Sequence, residues 1–215
     1  MSGSLSLQTG ASSLGDSGYI YVSSGESRGG SGGFVAMSVG KGDSGSGGRV
    51  SVTSGTTTDF ASGGDILVTT GYSAKTSSGF FSLHTRDSGM NGVSGAVDLL
   101  TGTSSSGSTG SFLMSTGMAS SGSGGYINVL VGQGNTYDGG DVIVVAGDTS
   151  DKKSSGGRVE IAAGSGTSTN FVDGGDGGSI LLTSGAAMGN AIILKDHGGN
   201  VLVNGGFADS VRNST

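Results

Sequence analysis

A short unit recurs twelve times along this chain, and that repetition limits the available folds more than any other feature. Aligned on glycine, the units read "GSLSLQTG", "GYIYVSSG", "GFVAMSVG", "GRVSVTSG", "GDILVTTG" and "GFFSLHTR". They continue as "GAVDLLTG", "GSFLMSTG", "GYINVLVG", "GDVIVVAG", "GRVEIAAG" and "GSILLTSG". The closing glycines are Gly10, Gly25, Gly40, Gly55, Gly71, Gly102, Gly117, Gly132, Gly147, Gly164 and Gly185, with Arg86 standing at the remaining position. The period is about 15–16 residues through Gly147 and lengthens after it.

Two columns of each unit are always large and apolar. The first is Leu5, Ile20, Val35, Val50, Ile66, Phe81, Val97, Phe112, Ile127, Val142, Val159 and Ile180. The second is Leu7, Val22, Met37, Val52, Val68, Leu83, Leu99, Met114, Val129, Val144, Ile161 and Leu182. In a chain only 33% hydrophobic, such regularity is not chance. Alternation with a period of two marks extended segments with one apolar face. A third column is small or hydroxyl-bearing: Thr9, Ser24, Val39, Ser54, Thr70, Thr85, Thr101, Thr116, Val131, Ala146, Ala163 and Ser184.

The phase is the same in every unit, which suits parallel stacking of like residues over like. Two residues past many closing glycines the chain is again small, as at Ser27, Thr57, Ser73, Ser104 and Thr149, and this reads as the inner side of a return path. The expected fold is therefore all-β: a right-handed parallel β-solenoid (β-helix) of about twelve short rungs with a thin core. Residues 1–185 form the repeats, and 186–215 form a modified terminal rung or cap with a polar tail. The "AIIL" and "NVLVN" runs of that last segment are further strand candidates.

Composition supports dense backbone pairing. There are 48 glycines and 40 serines, but no proline. A flexible Gly/Ser linker rarely excludes proline, whereas a backbone whose N–H groups all donate must do so. With no cysteine, the redox compartment is not readable. The net charge of −6 and the lack of any basic run argue against a nucleic-acid partner. No apolar run reaches the length of a membrane span. The start "MSGSLSL" shows no signal peptide and enters a repeat at once, so a trimmed or mature form is expected.

Chemistry is sparse. "GESRG" and "GGSGG" match the G-x-S-x-G pattern of a nucleophile elbow, but chance explains both in a chain so rich in Gly and Ser, and neither precedes a helix signal. His84 and His197 are far apart and read as solvated surface residues rather than zinc ligands. Asp173 and Asp176 in "DGGDGG" resemble a calcium β-roll turn in a single connector only. No catalytic residue, metal ligand set or cofactor is assigned, and the chain is not expected to be an enzyme.

A possible interface is Leu100, Leu113, Leu130, Ile143 and Val145, all on the outward face of the alternation, with Tyr126 beside them. Such a patch predicts self-association, lateral through this face or head-to-tail through the repeat ends. An alternative is an ice- or carbohydrate-binding surface. Its outward Ser/Thr columns are irregular, however, with Leu100 interrupting the best of them.

The "SGGxVxVTSG" units joined by Ser/Gly connectors resemble the Gly/Ser-rich repeat arrays of large algal and protist surface proteins and of some virus or phage fibres. That resemblance covers about residues 1–185. It implies a structural or adhesive role at a cell surface or outside the cell, in a filament, wall or fibre, and brings no functional residue and no ligand with it.

Overall fold

A computed structural model describes residues 2–188 and 197–206. The chain divides into two units, Met1–Gly110 and Ser111–Thr215. Neither contains a helix or a β-strand among the described residues, which are turns, bends and irregular backbone. This overturns the parallel β-solenoid, or β-helix, expected from the repeat. Among the described residues there is no sheet and no stack of rungs. There is no thin core either: no described residue is buried. The "AIIL" run and the polar tail lie outside the described residues.

The reason lies in what alternation specifies. It states which side chains share a face, but a strand exists only through hydrogen bonds to a neighbouring strand. The bonds that form here are local. Among the described residues the backbone-to-backbone bonds include Gly64 N–H to Gly55 O, Gly79 to Gly71, Gly157 to Gly147, Gly178 to Gly164 and Gly199 to Gly185. Each ties the glycine that opens one apolar run to the glycine that closed the run before it. The N–H groups satisfy loop necks rather than ladders. Two large apolar side chains per repeat are also a small return for ordering the glycine-rich remainder, whose backbone loses the most freedom on folding.

In the first unit five connectors turn by two devices. At 57–61 and 73–76, hydroxyls cap the turn. Asp59 N–H donates to Thr57 Oγ1 at 3.2 Å, and Thr76 N–H donates to Ser73 Oγ at 3.0 Å. The small residues just past Gly55 and Gly71 thus serve as turn caps, and the expected inner wall of a return path does not form. Elsewhere glycine bends the chain with positive φ, at Gly15 (113°), Gly45 (76°) and Gly107 (108°). Each is the fifth residue past a closing glycine.

The second unit repeats both devices. Asp151 N–H donates to Thr149 Oγ1 at 3.2 Å and Asn170 N–H to Ser168 Oγ at 3.3 Å. Gly122 (156°) and Tyr137 (97°) carry positive φ, again five residues past Gly117 and Gly132. Tyr137 occupies a position that the other such connectors give to glycine. A side chain there is strained, because its Cβ crowds the backbone.

Candidate functional surface

Closure of the connectors positions everything else. In all twelve repeats the third-column residue faces the glycine that opens the next apolar run. A Cβ added to Gly18 would lie 3.5 Å from Thr9, and one on Gly33 would lie 3.1 Å from Ser24. On Gly140 it would lie 2.8 Å from Val131 Cγ1, and on Gly48 it would overlap Val39 Cγ1. The same pairing joins Ser54 to Gly64, Thr70 to Gly79, Thr85 to Gly95, Thr101 to Gly110 and Thr116 to Gly125. It continues with Ala146 to Gly157, Ala163 to Gly178 and Ser184 to Gly199. Two necks add a side-chain bond: Thr9 Oγ1 donates to Gly18 O at 3.1 Å and Ser24 Oγ to Gly33 O at 3.0 Å.

These necks explain two features of the sequence, the small or hydroxyl-bearing third column and the invariable opening glycine. They are also where shielding from water is greatest. Among the described residues Ser54, Ser73 and Ala146 are the least exposed, two at necks and one at a turn cap.

The apolar columns, by contrast, face solvent. From Ile20 onward the first column is 49–64% exposed. Leu100, Leu113, Tyr126, Leu130, Ile143 and Val145, the interface candidates, are 78–88% exposed. The alternation therefore survives as a difference in degree, with neither face covered. Leu100 belongs to the first unit, and the other five belong to the second.

The polar candidates do not converge. His84 Nδ1 lies 3.2 Å from Ser82 Oγ on the same run. Arg158 and Glu160 form an exposed ion pair at 2.7 Å. No group of three or more His, Cys, Asp or Glu among the described residues is arranged to hold a metal ion, the Asp173–Asp176 connector included. No cavity is present among the described residues. No helix there is long and apolar enough to cross a membrane. Asp151 has a perturbed acidity. The Ser154 hydroxyl bond and the Lys153 N–H hold it below the usual carboxylate range. No family model, curated protein or solved structure matches the chain.

Proposed function

We propose that this chain is a structural repeat protein of a cell surface or extracellular fibre, working by lateral association with copies of itself. The supporting observation is the exposed apolar columns. The accessible surface is 22459 Å², whereas a folded monomer of 20.6 kDa exposes about 8,900 Å². The excess is several times the roughly 1,200–2,000 Å² that a stable protein interface buries. Apolar side chains repeated at one period meet their best match in a chain of the same period, so a second copy is the favoured partner. The likeness of the "SGGxVxVTSG" units to surface and fibre arrays supports the same reading.

Sedimentation velocity over a concentration series tests it. The wild-type chain should associate by mass action. The triple variant Leu113→Ser, Leu130→Ser, Val145→Ser should weaken association by roughly tenfold to a hundredfold, at 1.4 kcal/mol per factor of ten. A wild-type chain that stays monomeric at every concentration would overturn the reading.

A further inference from the structure

Each connector is a loop whose two ends approach closely at one point. We propose that these loops are length stores, and that the chain serves as an extensible element that lengthens by opening its necks. This goes beyond self-association and does not depend on it, because every neck is closed within one chain.

The closures are numerous, similar and individually weak. Seven pairs, from Thr9–Gly18 to Val131–Gly140, span nine residues, and Ala163–Gly178 and Ser184–Gly199 span fifteen. Nine residues drawn out reach about 30 Å, against necks whose two sides approach so closely that a Cβ added to the glycine would meet the opposite residue. Opening one short loop therefore releases about 25 Å, and the twelve together release roughly 350 Å. Seven necks carry one backbone or hydroxyl bond, and the other five are closed by close approach alone. Water reaches these groups, so it competes for each bond, and among the described residues no buried core couples one loop to the next. Weak, local and repeated closures open one at a time and close again when the load is removed. A sheet or a packed core would give way cooperatively instead.

The sequence suits this use. Without proline, no loop is stiffened at a fixed φ. Glycine at the neck admits the close approach that a larger residue would block. Where chains are joined through their apolar runs, the connectors between those runs are the parts left free to yield.

The test is the full chain stretched singly between handles in an optical trap, at a dilution where association is absent. The expected result is reversible lengthening at low force by about 25 Å per short loop, before the response of a fully open chain is reached. Gly48→Ala and Gly140→Ala together should remove two loops' worth of stored length, because their Cβ atoms meet Val39 and Val131. Gly40→Ala and Gly132→Ala, in the same two connectors, place their Cβ atoms in open space and should change nothing. The chain has no cysteine, so Ser38→Cys with Arg49→Cys gives a labelled pair across one neck. Energy transfer across that pair should be high, and adding Gly48→Val should lower it. A wild-type chain that follows the fully open response from the lowest force would overturn the proposal. So would equal stored length in the Gly48/Gly140 variant and its control.

Discussion

The connectors at 131–140 and 146–157, neighbours in the second unit, close in opposite ways. The first bends through positive φ at Tyr137 and has no backbone bond at its neck, where Val131 faces Gly140. The second is capped by Thr149 Oγ1 and brings Gly157 N–H to Gly147 O at 2.8 Å past the small Ala146. The contrast extends to both units. Connectors with positive φ, at Gly15, Gly45, Gly107, Gly122 and Tyr137, show no neck backbone bond. Connectors with that bond, closing at Gly64, Gly79, Gly157, Gly178 and Gly199, show no positive φ among the described residues. A hydroxyl-capped turn delivers the two glycine backbones in register for a bond. A turn bent sharply at one glycine sets them apart, and side-chain contact fills the gap. Neck side-chain size runs parallel: the bonded necks carry Ser or Ala except at Thr70, and the bent ones carry Thr or Val.

The most damaging way to break this contrast is to put the wrong side chain at a bonded neck. Ala146→Val with Ala163→Val should force Gly157 and Gly178 away from their acceptors. Each lost bond is worth about 0.5–1.5 kcal/mol. Hydrogen exchange at the Gly157 and Gly178 amides should accelerate by roughly twofold to tenfold. Unchanged exchange would separate neck size from neck bonding.

Tyr137→Gly sharpens the other class. Removing a side chain held at positive φ should relieve about 1 kcal/mol of strain and tighten the 132–140 connector. Labels placed across that neck should report a larger closed fraction. The reverse change, Gly122→Ala, should open the 117–125 connector by a similar amount.

Val39→Ser is a smaller change that tests conversion between the classes. With the Val39 methyl gone from beside Gly48, the neck can draw in, and Gly48 amide exchange should slow by about twofold to fivefold. If it does not, the turn rather than the neck residue sets the class.

The smallest effect is one of pH. Asp151 is held below the usual carboxylate range by Ser154. A lowered pKa in the closed loop means that its contribution is complete above the ordinary carboxylate range. That contribution is lost as pH falls through the lowered value. The 148–156 connector should loosen on acidification while the 132–140 connector does not, as read by amide exchange at Lys153 and Gly157.

Much of this was legible in the sequence, though under a different meaning. The period, the two apolar columns and the opening glycines are read directly from the aligned units. The turn caps were visible as small residues at Thr57, Ser73 and Thr149, but their hydroxyls could be assigned a donor only once the turn existed. Tyr137 announces itself only after Gly15, Gly45, Gly107 and Gly122, each also five residues past a closing glycine, are seen to carry positive φ. The candidate interface residues Leu113, Leu130 and Val145 are exposed in the structure, yet so are the columns assigned to a core, and alternation alone does not distinguish them.

By itself the sequence determined the local matters: where each run begins and ends, which side chains share a face, and where only glycine fits. Those follow from the two-residue period of extended backbone and from sterics within a few residues. Whether the runs pair was decided only by the tertiary structure, because hydrogen-bonding partners are a property of distant segments brought together. Identical phase in every unit is compatible with a stack of rungs and equally with a succession of closed loops. The loops prevail here because five closing glycines find their donor one connector away, at the modest entropic cost of closing a short loop.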